Sequence, residues 1–263
     1  MPRQHLPNIT MKNGTPIIMK DILKLFANRN SVVSTVTDAP STERFAGKKN
    51  AGVNGRHTLD VAVSFSGLPR LRQRAIYSWE GLIRKYNADV FMHIWETDDG
   101  ETEKVKNIFP MVKFISEPQE IFDTSHYTER LQSSNPQNVF SQWTSIWRSM
   151  NLVYSHTKTY DVVVRARLDV EFAQFDFLDT HGVKIPGKPA EVYNWQGKRY
   201  PGWHDMIAYG DPDSMRAYTE TLWKIPQIYR EGSPFFSEFF LSTHLFRSKI
   251  NTTHHAVFAD IVR

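Results

Sequence analysis

The residues best suited to chemistry lie in one stretch, 160–172, which reads YDVVVRARLDVEF. Four charged residues alternate there with apolar ones: Arg165, Arg167, Asp169 and Glu171. In an extended chain, residues two positions apart lie on the same side, so we expect the four charges to face one way. Arginines bind phosphate oxygens, and carboxylates bind a divalent metal or sugar hydroxyls. The pattern predicts a site for a polyanionic ligand; the alternative is a surface strand with cross-strand ion pairs.

Three consecutive valines, 162–164, indicate where this stretch lies in the fold. An unbroken apolar run is typical of a strand that is buried on both faces. We therefore predict a central strand from Tyr160 to Phe172. In open α/β sheets, ligands bind outside the carboxyl ends of the strands. The charged residues are expected at that edge.

A second anion-binding pattern follows the first strand of the folded region. Residues 59–65 alternate apolar side chains and end in Ser66-Gly67, which predicts a strand and a tight turn. Pro69 is expected to start a helix whose apolar residues recur at helical spacing up to Tyr86. Backbone amides at such a turn bind anions with help from the helix dipole, and three arginines lie close by. A plain turn with solvated arginines is the alternative.

The rest of the chain alternates strands and helices. Further strands are predicted at 88–95, 112–115 and 205–210, and helices at 136–154, at 212–225 before Pro226, and from the Ser233-Pro234 cap to 246. This alternation is typical of a mostly parallel sheet with helices on its faces. Residues 176–201, rich in Gly, Pro and aromatic residues, are expected to form a long excursion such as a pocket wall or a lid.

Two further acids are candidates for acid–base chemistry. Asp205 directly precedes a predicted strand, where it could act as a general base or orient a hydroxyl; the alternative is a turn or helix cap. Glu238 lies in the first turn of a predicted helix, where any carboxylate is stabilised by the helix dipole. A catalytic function is the second interpretation of Glu238.

Charge divides the chain into two parts. Residues 1–57 contain nine Lys or Arg against three Asp or Glu, which leaves 23 against 25 in the rest of the 263 residues. We predict a polar, basic, partly flexible leader at 1–57 and a folded domain at 58–263. Because the basic excess belongs to the leader, the folded part lacks the broad basic face of a nucleic-acid-binding protein.

Two absences from the sequence narrow the function further. The chain has no cysteine, which excludes disulfides, thiolate metal sites and cysteine nucleophiles. It has no apolar run near the roughly 18 residues of a membrane span, and no signal peptide. We expect a cytoplasmic protein without a membrane span. The oligomeric state stays open.

The order of these segments resembles the GT-A glycosyltransferases, which implies a GT-A-like, Rossmann-like single domain. In that family a strand ends in an Asp-x-Asp motif, whose last acid holds a metal on the diphosphate of a sugar nucleotide. In RLDVEF, Asp169 matches the second acid, but Arg167 stands at the first. The resemblance therefore implies Mn²⁺ or Mg²⁺ on Asp169. The departure leaves open direct neutralisation of the diphosphate by Arg165 and Arg167.

Four segments resemble, more narrowly, small glycosyltransferases of bacteriophages and large algal viruses: FSGLPR at 65–70, HIW at 93–95, SQWTSI at 141–146 and VVRARLD at 163–169. The likeness covers about residues 59–246 and implies a viral protein of the host cytoplasm. By this resemblance Ser66, Gly67 and Arg70 line the nucleotide pocket and Gln142 faces it. Asp205 and Glu238 border the acceptor.

The sequence thus predicts a glycosyltransferase, hexosyl or pentosyl, that moves a sugar from a nucleoside diphosphate sugar to a hydroxyl of a glycan or glycoprotein. A sulfotransferase is one alternative, although the Gly-Thr or Gly-Ser phosphate loop of that class is missing. A non-catalytic sugar-binding module is the other, and Arg167 in place of the first acid favours it.

Overall fold

The computed structural model describes residues 59–131, 134–172, 178, 191–194, 205–254 and 259–261. All of them belong to one compact unit, Thr37–Arg263. The predicted leader at 1–57 lies outside the described residues, and so does most of the predicted excursion at 176–201. Within the described part of the chain, no helix is both long and apolar enough to cross a membrane.

Four parallel strands form one half of the main sheet. In chain order they are β1 (Val61–Gly67), β2 (Asp89–Trp95), β3 (Met111–Glu117) and β4 (Val162–Ala166), and they lie side by side in the order β3-β2-β1-β4. All five residues of β4 are buried, because strands cover both of its edges and helices cover the faces. The prediction of a central strand at the three valines is confirmed.

The other strands complete the sheet and add a small second one. They are β5 (Val170–Phe172), β6 (Glu191–Asn194), β7 (Ile207–Gly210), β8 (Asn251–His254) and β9 (Ala259–Ile261). The seven-stranded order is β3-β2-β1-β4-β7-β6-β8, with β7 antiparallel to both neighbours, while β5 pairs with β9. The predicted architecture, a mostly parallel sheet flanked by helices, is confirmed.

The predicted single strand from Tyr160 to Phe172 is wrong beyond Ala166. The backbone N–H of Arg167 donates to the Met206 carbonyl at 3.1 Å, and the N–H of Val170 donates back to the Arg167 carbonyl at 3.4 Å. The first bond continues the antiparallel pairing with the segment before β7. The second closes a turn over residues 167–170, which takes the chain out of the main sheet before β5 begins. The four alternating charges therefore do not share one face.

Six helices are described: α1 (Gln73–Tyr86), α2 (Glu101–Lys106), α3 (Pro136–Tyr154), α4 (Pro212–Thr219), α5 (Thr221–Arg230) and α6 (Ser237–Arg247). Side chains of β1 point alternately to the two faces of the sheet, and their contacts show that α1 and α3 pack on opposite faces. Phe65 packs edge-on against Trp79 of α1, with ring centroids 4.9 Å apart. Its neighbour Ser64 points the other way and bonds to Ser149 of α3 at 3.0 Å.

The start of α3 follows the predicted pattern, but α1 starts later than predicted. Asn135 caps α3 by accepting the Gln137 N–H at 2.9 Å, and Pro136 is the first helical residue. After Pro69, by contrast, two tight local bonds (Arg70 N–H to Leu68 O, Leu71 N–H to Pro69 O) hold the chain in turns. The helix begins at Gln73, so its N-terminus is separated from the Gly67 turn.

The two helices predicted near the C-terminus also differ from expectation. The helix predicted at 212–225 is interrupted at Glu220, which separates α4 from α5. Pro226 lies inside α5 and does not end a helix. The buried stripe of α5 carries it past the proline, because packing outweighs one lost hydrogen bond. Ser233-Pro234 caps nothing: Phe235 donates its N–H to the Arg130 carbonyl, and α6 begins at Ser237.

Candidate active site

Several of the predicted site residues lie at one edge of the main sheet. Because β1, β2 and β4 are parallel, their carboxyl ends lie at the same edge. The antiparallel β7 begins there, since Ile207 pairs with Ala166. Asp205 directly precedes β7, so it lies next to the carboxyl end of β4. Ligands of open α/β sheets bind at this edge.

The four segments behind the viral resemblance converge at this edge through hydrogen bonds. Arg165 donates to the Ser66 hydroxyl from Nε and Nη2, at 3.3 and 3.1 Å. The Gly67 N–H donates to Ser145 Oγ at 2.7 Å, and the same hydroxyl lies 2.8 Å from Nδ1 of His93. FSGLPR, VVRARLD, SQWTSI and HIW are therefore parts of one connected cluster.

Arg165 is a fully buried cation with an unused donor. Its side chain is 0% exposed, and Nη1 makes no hydrogen bond within the described part of the chain. Burial lowers the pKa of Arg165, against the raising effect of Tyr218 and Asp205. A buried cation needs a nearby anion or acceptor to offset its desolvation. Nη1 is therefore available for an acceptor atom of a ligand.

Arg167 and Asp169 form an ion pair with two parallel hydrogen bonds. Nε of Arg167 donates to Oδ1 at 2.9 Å, and Nη2 donates to Oδ2 at 2.6 Å. The Asp169 side chain is 5% exposed and that of Arg167 is 25% exposed. Both carboxylate oxygens of Asp169 are thus occupied by Arg167.

The ion pair of Arg167 with Asp169 affects whether the predicted divalent metal can bind to Asp169. Among the described residues, no three His, Cys, Asp or Glu side chains form a group that could hold a metal. Asp169 alone offers one carboxylate, so phosphate oxygens and water would have to complete the coordination. A metal on Asp169 also requires Arg167 to move away. Glu171, the other acid of the stretch, lies in β5 opposite Asp260 of β9.

A hydrogen-bond chain fixes Asp205. The Ser237 hydroxyl donates to Oδ2 of Asp205, and Nε1 of Trp143 donates to Ser237 Oγ at 3.0 Å. Asp205 is buried at 6% exposure. This chain joins α3, the start of α6 and the segment before β7. The helix cap nearby is Asp211, which accepts the Ser214 N–H, so Asp205 is not needed as a cap.

Glu238 lies next to Asp205, in the first turn of α6. Burial and the negative charge of Asp205 raise the pKa of Glu238 to about 8. Glu238 therefore holds a proton at neutral pH, while Asp205 supplies the charge that keeps it there. Two neighbouring carboxyl groups in different protonation states can serve as base and hydrogen-bond donor.

The predicted nucleotide-pocket residues are arranged in an unexpected way. Ser66 is buried as the partner of Arg165, and the Gly67 N–H is used by Ser145. The Gly67 N–H therefore already has an acceptor, and anion binding by the other backbone amides of this turn stays a prediction. Arg70 is exposed beyond the turn. Gln142 lies on α3 one turn before Ser145, and its buried Nε2 makes no hydrogen bond within the described residues.

Several residues of the cluster have no function assigned from the sequence. His93 and Ser145 lie inside segments that the resemblance singled out, but their hydrogen bonds join residues 52 positions apart. Glu117 ends β3 and Ser237 begins α6, and neither position carries a motif. The only sequence signal that could have pointed to one of these residues is a polar residue within an apolar run, as for His93 between Met92 and Ile94.

A surface cavity lies apart from this site. Its volume is about 360 Å³, and α3, α4 and α5 line it with side chains that include Trp147, Arg216 and Trp223. None of the predicted site residues lines the cavity. The candidate active site is therefore defined by its hydrogen-bonded cluster and not by this cavity.

Comparison with solved structures finds weak similarities. Mouse xyloside xylosyltransferase 1 in its apo form is 11% identical, with a TM-score of 0.40 over 75% of this chain and 84% of that chain. A glycosyltransferase involved in the glycosylation of the major capsid of PBCV-1 is 8% identical, with a TM-score of 0.42 over 74% and 82%. Similarities of this strength carry no argument about function. No family model and no curated protein matches the chain.

Proposed function

We propose that this protein is a glycosyltransferase that moves a sugar from a nucleoside diphosphate sugar to a hydroxyl of a glycan acceptor. One observation carries the proposal: Arg165 and Arg167, which suit a diphosphate, lie at the same sheet edge as the neighbouring carboxyl groups of Asp205 and Glu238. The hexosyl or pentosyl specificity, the glycoprotein acceptor, the viral origin and the cytoplasmic location stay predictions.

The two arginines are assigned to the diphosphate leaving group. Negative charge develops on the diphosphate as the bond to the sugar breaks, and fixed cations in a water-poor site stabilise that charge. Arg165 is held by Ser66 and keeps Nη1 free. Arg167 is partly exposed at the same edge. Of the predicted pocket residues, Gln142 supports the assignment best, because its amide nitrogen lacks a partner within the described structure.

Asp205 is assigned as the general base of an inverting transfer. The carboxylate takes the proton from the acceptor hydroxyl, the acceptor oxygen bonds to the sugar carbon, and the diphosphate leaves with the electrons of the broken bond. Ser237 orients Asp205 for this step. Glu238 is protonated below its pKa of about 8, so it donates a hydrogen bond within the acceptor site.

Asp169 is the residue that would hold a divalent metal. A bound metal supplies positive charge to the diphosphate. Arg167 would have to exchange its carboxylate partner for a phosphate, and both partners suit a guanidinium. The Arg167–Asp169 pair is thus the group at which dependence on metal is decided.

Calorimetric titration with UDP and GDP, each with and without Mn²⁺, tests the proposal. We expect one nucleotide to bind, followed by transfer of a sugar from the matching donor to a hydroxyl acceptor. Binding that Mn²⁺ does not strengthen assigns the diphosphate to the arginines alone. If neither these two nucleotides nor ADP, CDP and dTDP bind, the proposal is wrong.

A non-catalytic sugar-binding module is the second candidate, and the Arg167–Asp169 pair favours it because both carboxylate oxygens are occupied. Such a module binds the nucleotide sugar without consuming it. Release of free sugar and nucleoside diphosphate from the bound donor, followed over hours, separates the two candidates. An intact donor with every acceptor offered supports the module.

A further inference from the structure

A buried hydrogen-bond chain leads from the interior of the sheet to the turn after β1. The imidazole of His93 is fully buried, with Nδ1 at 2.8 Å from Ser145 Oγ and Nε2 at 2.8 Å from Glu117 Oε1. Ser145 Oγ accepts the Gly67 N–H at 2.7 Å. Arg148 pairs with the same carboxylate of Glu117. The chain therefore connects an ionised carboxylate with the backbone of the turn.

The protonation of each group indicates which atom donates and which accepts in this hydrogen-bond chain. The carboxylate of Glu117 accepts hydrogen bonds, so His93 carries its proton on Nε2. Burial lowers the pKa of His93 against the raising effect of Glu117, so the ring is neutral and Nδ1 accepts. The one proton of the Ser145 hydroxyl then has two acceptors, Nδ1 at 2.8 Å and the backbone carbonyl of His93 at 3.1 Å. In either case the Ser145 oxygen accepts the Gly67 N–H.

The geometry of Gly67 shows what the chain holds in place. Its φ of 112° is a conformation that residues with a side chain rarely adopt. No described atom lies within 4 Å of the position that a Cβ would take. The N–H is thus held inside the protein by Ser145, while the α-carbon faces open space at the ligand-binding edge of the sheet.

We propose that Ser145 is a positioning residue for nucleotide binding, which acts through the turn that it holds and not by touching the ligand. His93 and Glu117 fix the direction of the Ser145 hydroxyl, and Ser145 fixes the Gly67 peptide. Ser66, the residue before that peptide, holds Arg165. The inference rests on the proposed function, in which Arg165 is assigned to the diphosphate.

The chain offers a matched control in Ser149. It lies one turn after Ser145 on α3 and is equally buried, at 0% exposure. Its hydroxyl bonds to Ser64 at 3.0 Å and to the Ile146 carbonyl at 2.9 Å, within the interior of the sheet and away from the turn. Removal of either hydroxyl disturbs a buried serine on the same helix face, but only Ser145 reaches Gly67.

The test compares Ser145→Ala with Ser149→Ala in the full chain. Both variants are expected to unfold at lower urea concentration than the wild type. Only Ser145→Ala is expected to bind the nucleoside diphosphate more weakly, by about tenfold, because the Gly67 N–H loses its acceptor. Ser145→Thr keeps the hydroxyl and is expected to keep most of the affinity. The probe is whichever of UDP, GDP, ADP, CDP and dTDP binds the wild type.

The outcomes separate this inference from the function on which it rests. Equal nucleotide affinities of Ser145→Ala and Ser149→Ala overturn the inference and leave the proposed function intact. A wild-type protein that binds none of the five nucleotides overturns the proposed function, and the inference with it.

Nuclear magnetic resonance of the wild type tests the chain without any variant. The His93 ring is expected to be neutral at pH 7, with its proton on Nε2, and the Gly67 amide is expected to exchange slowly with solvent. A ring protonated on Nδ1 alone, or a rapidly exchanging Gly67 amide, contradicts the proposed chain.

Discussion

Asp205 and Glu238 have the same functional group in different surroundings. Asp205 accepts a hydrogen bond from Ser237, which is itself fixed by Trp143. Glu238 has no such partner among the hydrogen bonds of the described residues, and burial beside Asp205 raises its pKa to about 8. A pair of carboxyl groups whose surroundings separate their protonation is a common basis for acid–base catalysis. We therefore propose Asp205, and not Glu238, as the base.

Replacement of this base is expected to remove turnover and leave donor binding unchanged. Asp205→Asn keeps the size of the side chain and an oxygen acceptor for Ser237, but it cannot take a proton. We expect kcat to fall by about 10²–10⁴-fold, with little change in the donor KM. Ser237→Ala serves as comparison, with a smaller loss from poorer orientation. An Asp205→Asn variant with wild-type kcat excludes Asp205 as the base.

The raised pKa of Glu238 also predicts how stability depends on pH. The folded protein keeps a proton that the unfolded chain releases above the ordinary value of 4.5, so the free energy of unfolding falls as pH rises towards about 8. Glu238→Gln has no proton to lose. We expect its free energy of unfolding to match that of the wild type near pH 4.5 and to exceed it by about 1–2 kcal/mol near pH 9. This difference is smaller than the pKa shift alone would give, because Glu238 is partly exposed to solvent.

Urea denaturation across this pH range measures the effect of Glu238→Gln. The control is Glu231→Gln: hydrogen bonds from Gln227 and Arg247 lower the pKa of this exposed residue, so the variant should not gain stability at high pH. Parallel pH profiles for the wild type and Glu238→Gln contradict the assignment.

We propose that Asp169 determines whether a divalent metal strengthens donor binding. Asp169→Asn keeps one oxygen for Arg167 but removes the negative charge that a divalent cation needs. We expect any strengthening of nucleotide binding by Mn²⁺ to disappear in this variant, while binding without metal persists through the arginines. Titrations of both proteins with and without Mn²⁺ measure this. An equal Mn²⁺ effect in the two proteins places the metal elsewhere.

At the scale of elements, apolar patterns predicted where strands lie better than where they end. The valines of β4 correctly indicated a central strand, because only such a strand is buried on both faces. Its end is set by the turn over residues 167–170, which the Val170 N–H closes on the Arg167 carbonyl. The alternating pattern continues past that point, so no local signal marks the break.

A helix start can be predicted from the sequence when its cause is a neighbouring residue, but not when its cause is a contact with a distant part of the chain. The start of α3 was predictable because Asn135 and Pro136 are neighbours of the helix that they begin. The start of α6 was not, because Phe235 is drawn into a backbone bond with Arg130, a residue from a separate part of the chain. Pro226 is tolerated in α5 because buried apolar residues hold the helix on both sides.

Gly67 is the position at which the end of β1 is most sensitive to mutation. Its φ of 112° strains any residue with a Cβ, although the space around it is open. We expect Gly67→Ala to lose about 1–2 kcal/mol of stability and to bind nucleotide more weakly as the turn shifts. Gly100→Ala, at φ 75° in an exposed loop, is the control for strain alone. If both variants keep full affinity, the turn is not part of the pocket.

At the scale of the molecule, the fold brings together segments that are far apart in sequence. Residue types and strand positions predicted which side chains gather at the sheet edge. Their pairing was not predictable, because Ser66 with Arg165 and Ser237 with Asp205 are contacts over 99 and 32 residues. Long-range pairs of this kind depend on sheet order and helix packing, which a single sequence does not specify.

The same assembly predicts that nucleotide binding stabilises the whole folded body. A ligand that binds the native state alone, at about 100 times its Kd, adds about 2.7 kcal/mol and raises the Tm of a domain of this size by about 5–10 °C. Gln142→Ala should reduce that shift by more than it lowers the Tm of the free protein, because the buried Nε2 has no hydrogen bond to lose there. Thermal melts with and without nucleotide measure both effects.

Uridine or guanosine without phosphate separates the contributions to this stabilisation. If Arg165 and Arg167 bind the diphosphate, the nucleoside alone should raise the Tm far less than the nucleoside diphosphate does. Equal shifts would assign the binding energy to the base and sugar, and the arginines would lose their proposed function. Equal shifts in the wild type and Gln142→Ala would instead place the nucleotide away from α3, because a group that gains a partner on binding must lose affinity when it is removed.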